Sequence, residues 1–210
     1  MRTHKLLTAA SLAAQLLLLP LLLNRTQLTA LPWSMWALIA MALALAWTQA
    51  TRDLRGLWPA LVLALLGCVG AWRLLPLALA QIGLAALLAS QNLQRPLQLS
   101  GWQIEVAFVQ LLLLARLNTV LTLSAVLAVV FVATPPLLAQ WSQPLWVSIG
   151  LQVLVAGLAV WQQSFTLITA AIAVLCGCAL ALRAKQLPPV ATAWAGIVIS
   201  VADIWTHLHG

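Results

Sequence analysis

Between Leu6 and Leu23 the chain carries no charged residue, and runs of the same kind recur along most of its length. A helix that crosses a membrane needs about 20 mostly apolar residues, with a range of about 17–25. These runs constrain the fold more than any motif does, because a bilayer interior accepts only backbone whose hydrogen bonds close on themselves. Composition agrees: the 210 residues are 64% apolar and 6% charged, against about 45–50% and about 25% in soluble domains. The sequence reads as an all-α, polytopic transmembrane helical bundle. Residues 1–210 are expected to form a single membrane unit with no soluble domain, since the polar connections are too short to hold one.

The net charge of +7 would suit a nucleic-acid partner in a soluble protein. Here the basic residues fall singly or in pairs between apolar runs, as topology signals do. The expected partners are therefore membrane lipids and other membrane-protein subunits, with no nucleic acid. The first run follows Arg2 and Lys5, like a signal peptide. It is long for a signal core, and Leu23-Asn-Arg25 follows it in place of a small-residue cleavage site. It reads as a retained first helix.

Apolar runs predict spans at about Leu6–Leu23, Trp33–Ala50, Leu145–Trp161, Phe165–Leu182 and Val190–Thr206. Two longer stretches need division. As one helix, Leu57–Ser90 would run about 50 Å against a hydrocarbon core of about 30 Å. Gly70, Arg73 and Pro76 mark a turn, giving Leu57–Trp72 and Leu75–Ser90. Gln91–Gly101 reads as a polar connection. Trp102–Thr134 divides at Arg116-Leu-Asn118, and Pro135-Pro136 ends its second half, leaving Leu137–Pro144 as a connection. The count is about nine spans, with seven as the alternative if both stretches are continuous.

With a cytoplasmic N-terminus, nine spans put Arg2, Lys5, Arg52, Arg55, Arg95, Arg183 and Lys185 inside. Arg25, Arg73 and Arg116 are then outside, as the positive-inside rule favours. Seven spans also satisfy the rule, but they bury Arg73 and Arg116 in mid-helix at about 2.5–3.5 kcal/mol each. The expected location is a bacterial inner membrane.

Trp102–Arg116 is the run richest in polar side chains. It holds the chain's one glutamate, Glu105, with Gln103, Gln110 and a closing Arg116. At about 100° per residue, Glu105 and Arg116 lie within about 20° of each other. Gln103 and Gln110 form a second row roughly opposite. Two opposed rows imply neighbouring helices on both sides, because lipid satisfies neither. Glu105, Gln110 and Arg116 are the candidate substrate or ion pathway. The plainer account makes Glu105 an interfacial carboxylate at a helix start and Gln110 a helix–helix hydrogen bond.

The other acids are Asp53, a loop residue between Arg52 and Arg55, and Asp203. Asp203 and His207 stand at i, i+4 on one helix face, with Ser200 extending the row. They are a candidate proton relay or partial metal site; zinc would require three or four ligands. Cys176 and Cys178 are too close in a helix to share a face and read as packing residues. Elbow, phosphate-loop and zincin motifs are absent. All three histidines, His4, His207 and His209, lie near chain ends, which disfavours haem ligation. No cofactor is expected. Most of the eleven tryptophans, Trp102 among them, suit interfacial belts. Trp36 and Trp194 lie deeper; the plain account covers nearly all the tryptophans, and a lipid or ligand groove is the alternative for these two.

These features point to a non-catalytic integral membrane subunit that anchors, assembles or regulates a larger complex. The alternative is a small multi-pass transporter or permease with Glu105 on an internal polar row. An intramembrane enzyme built on Asp203 and His207 is the third reading.

Overall fold

The structure is a computed structural model. It describes residues 2–24, 31–91, 93–118, 121–141, 144–183 and 188–209. Arg25, Thr119 and Lys185, and the side chains of Arg2, His4 and His209, lie outside the described residues. Among the described residues the secondary structure is helical, with no strand. Five helical segments are long and apolar enough to cross a membrane: Lys5–Leu23, Trp33–Thr51, Trp72–Ser90, Arg95–Leu117 and Pro189–Leu208. Four shorter apolar helices accompany them. The chain divides into two compact units, Met1–Leu121 and Thr122–Gly210.

The first unit holds α1 (Arg2–Leu23), α2 (Trp33–Thr51), α3 (Leu57–Gly67), α4 (Leu75–Ser90) and α5 (Arg95–Leu117). The break between α3 and α4 falls where glycine and arginine interrupt the apolar run. Gly70 adopts φ 76°, a left-handed conformation that costs glycine little. A 3-10 turn, Trp72–Leu74, then leads into α4, whose first turn holds Pro76. Gly67 permits the close approach of α3 to α2: a β-carbon there would collide with the Leu38 side chain. At the other end of α2, Arg52 takes φ 56°, and its N–H donates to Thr48 O at 2.8 Å.

The expected polar connection Gln91–Gly101 is shorter than the sequence suggested. α5 begins at Arg95, with Pro96 in its first turn, where a missing N–H costs nothing. Glu105 therefore lies near the middle of a 23-residue helix, not one turn inside its start. Gln98, Ser100, Trp102 and Gln103 are buried, so their polarity marks a helix face turned inward.

The second unit holds α6 (Leu123–Leu138), α7 (Leu145–Trp161), α8 (Leu167–Ala181) and α9 (Pro189–His209). Pro135 and Pro136 lie inside the last turn of α6; helical geometry persists past them to Leu138, which corrects the expected stop. The Pro135 carbonyl accepts a hydrogen bond from Gln152 Nε2 of α7 at 3.1 Å. Gln152 in turn rests on Gly177 of α8, where any β-carbon would overlap its amide group. Thr169 of α8 and Thr206 of α9 share a hydroxyl hydrogen bond of 2.9 Å. The Phe131 and Phe165 rings pack with centroids 5.9 Å apart.

Candidate functional site

The first unit concentrates its polar side chains on the surfaces where α1, α2, α4 and α5 meet. Gln49, near the end of α2, lies at the centre. Its Nε2 donates to Glu105 Oε2 at 2.7 Å and approaches Ala85 O of α4 at 3.4 Å. Its Oε1 accepts from Trp102 Nε1 at 2.6 Å. Gln49, Trp102 and Glu105 are all 5% exposed or less. Among the described residues Glu105 meets the Gln49 amide rather than a cation. The space beside Glu105, between Leu12, Leu16, Ala46, Gln49, Trp102 and Val106, is about 10 Å³. A water needs roughly 10–15 Å³ and two to four polar partners, so this space is at the lower limit for a single water.

The glutamine row of α5 meets a different helix. Gln15 of α1 donates to Gln103 Oε1 at 3.0 Å, and the Gln15 carbonyl accepts from Gln110 Nε2 at 2.7 Å. Gln15 Oε1 and Gln103 Nε2 make no hydrogen bond among the described residues. Thus Glu105 faces α2, while Gln103 and Gln110 face α1.

Arg116, in the last turn of α5, does not reach Glu105. Eleven residues separate them, about 16 Å along the axis. Arg116 Nη2 donates to Ser34 Oγ at 2.6 Å and approaches Val69 O at 3.4 Å. Beside it opens a cavity of about 590 Å³ at the end of the unit where α2 begins and α5 ends. Arg116 lines this cavity; Glu105 and Gln110 do not. Near the opposite end of α5, Arg52 donates to Gln98 Oε1.

In the second unit, Asp203 is 2% exposed and His207 is half-exposed at its side chain. His207 Nδ1 lies 2.8 Å from the Asp203 carbonyl oxygen and 3.4 Å from Asp203 Oδ1. Asp203 Oδ1 makes no hydrogen bond among the described residues. Ser200 is turned to the Gly196 carbonyl at 2.8 Å, so it does not extend the pair. Among the described residues no group of three histidine, cysteine, aspartate or glutamate side chains is placed to hold a metal ion. Cys68, Cys176 and Cys178 are free thiols.

Sequence reasoning missed Gln15, Gln49 and Gln152. Each is a lone glutamine in an apolar run, and each is 5% exposed or less. Such a residue in a membrane helix needs a partner on another helix, and that was the available signal. Trp102 was placed at an interface; it is 5% exposed and points inward, while Trp36 and Trp194 are exposed. Comparison with family models, curated proteins and solved structures gives no match.

Proposed function

We propose that the chain is a non-catalytic integral membrane subunit that anchors, assembles or regulates a larger membrane complex. The observation that carries this reading is the burial of Glu105 against the Gln49 amide. The one glutamate, the residue best suited to carry an ion or proton, is engaged by Gln49 beside a space of only about 10 Å³. The neighbouring glutamines and Trp102 also make hydrogen bonds between helices. Polar groups used this way serve helix packing.

The reading includes nine crossings, a cytoplasmic N-terminus and a bacterial inner membrane. The distribution of arginine and lysine supports that orientation. The alternative, a small transporter with Glu105 on its route, draws support from the cavity at Arg116, but it requires a continuation past Glu105. Extraction at native expression level in a mild detergent tests the proposal. A defined second polypeptide should be recovered in fixed ratio, and tagging that polypeptide should recover this chain. Recovery of this chain alone as a stable, monodisperse protein would contradict it.

A further inference from the structure

We propose that the cavity at the end of the first unit binds a phosphate-bearing anion. It is an open concavity of about 590 Å³, inside the range of about 300–1,000 Å³ typical of ligand sites. Its lining includes Trp72, Arg73, Arg116 and Asn118, together with Leu31 and Met35. Among the described residues, two guanidinium side chains line it and no carboxylate does. A concave site of one sign with apolar walls focuses its field on a ligand of the opposite sign. Guanidinium groups match phosphate oxygens through paired N–H donors.

Arg116 is fixed in place before any ligand arrives. Ser34 Oγ and the Val69 carbonyl hold Nη2, and Nε, buried, makes no hydrogen bond among the described residues. By itself, Arg116 is accounted for as a basic residue in the last turn of α5, where the helix dipole favours it. Arg73, carried by the separate 3-10 turn between α3 and α4, lines the same space. Trp72 beside it is 58% exposed, as befits an indole at headgroup depth. The phosphate could belong to an anionic lipid headgroup or to a free phosphate compound. Both present the same oxygens to the two arginines, and the volume leaves room for an attached group.

The test follows the arginine Nε–Hε signals of the full-length protein by nuclear magnetic resonance in a neutral detergent. Inorganic phosphate is titrated in one arm and short-chain phosphatidylglycerol in the other. Saturable shifts at Arg73 and Arg116 are expected. Response to phosphate alone would identify a free anion as the ligand; response confined to phosphatidylglycerol would identify a headgroup. Arg73→Gln, an exposed substitution that spares the Ser34–Arg116 bond, should weaken binding at least tenfold. Absence of shifts at both residues with both probes would overturn the proposal. So would equal shifts at every arginine, or a loss of less than threefold in Arg73→Gln.

Discussion

Gln49 of α2 reaches two other helices, α4 and α5, with one side chain. It accepts from Trp102, donates to Glu105 and reaches the Ala85 carbonyl. Interhelical hydrogen bonds in a membrane contribute about 0.6 kcal/mol on average, and about 1–2 in model peptides. Glu105→Gln keeps an acceptor for the Gln49 amide and should change stability by less than about 1 kcal/mol. Glu105→Leu removes the acceptor and should be the less stable of the two by about 1–2 kcal/mol. Denaturant unfolding in mixed micelles measures the difference, and equal stability of the two variants would count against the role given to Glu105. Trp102→Phe should cost about 1–3 kcal/mol by leaving Gln49 Oε1 buried and unpaired. Trp146→Phe, at a position 75% exposed, should stay within about 0.5 kcal/mol. A Trp102→Phe effect no larger than that of Trp146→Phe would show that the indole bond is dispensable.

The limits of the sequence are clearest at this scale. The opposition of the two α5 rows followed from helical periodicity alone, and the structure gives each row its own neighbour. Their partners did not follow, because Gln15 and Gln49 are single polar residues whose facing helix depends on tertiary packing. Trp102 misled for a related reason. An indole beside a polar segment looks interfacial, but the segment is the inward face of a helix that starts at Arg95.

At the level of helices, glycine governs how closely neighbours approach. Gly177 lets Gln152 lie flat against α8 while donating to Pro135 of α6. Gly177→Ala forces that amide aside and should cost about 1–3 kcal/mol as overpacking. In a Gln152→Ala background the same substitution should cost much less, since the overlapping group is gone. A double-mutant cycle reads this coupling directly; additive effects would refute the contact. The break between α3 and α4 was legible, because glycine, arginine and proline interrupt the run within a few residues. The α6 end was not. A proline pair removes two helical donors, yet the last turn still closes through the carbonyl of the first proline, which accepts from the Ala139 N–H at 3.1 Å.

For the whole molecule, Gln15–Gln103, Gln49–Glu105 and Ser34–Arg116 tie helices of the first unit, Met1–Leu121, to one another. A fragment of residues 1–121 should therefore insert and keep its α1–α2–α5 contacts. Cysteine pairs at Gln15 and Gln103 should cross-link in the fragment as in the full chain. Failure of that cross-link in the fragment alone would make the first unit dependent on the second. Membrane character was readable from the length and purity of the apolar runs. Which helices pack together was not, since that depends on tertiary contacts.

The central claim is that Glu105 is buried and holds helices together, whereas the Arg116 end of the same unit is open. Substituted-cysteine accessibility tests it in a background lacking Cys68, Cys176 and Cys178. Glu105→Cys and Trp72→Cys are each exposed to a charged, water-soluble thiol reagent in native membranes opened to both faces. The account predicts rapid labelling of Trp72→Cys, and labelling of Glu105→Cys only after unfolding. Labelling of Glu105→Cys in the folded protein at a rate comparable to Trp72→Cys would reveal a water path to the carboxyl position and contradict the account in favour of a transporter.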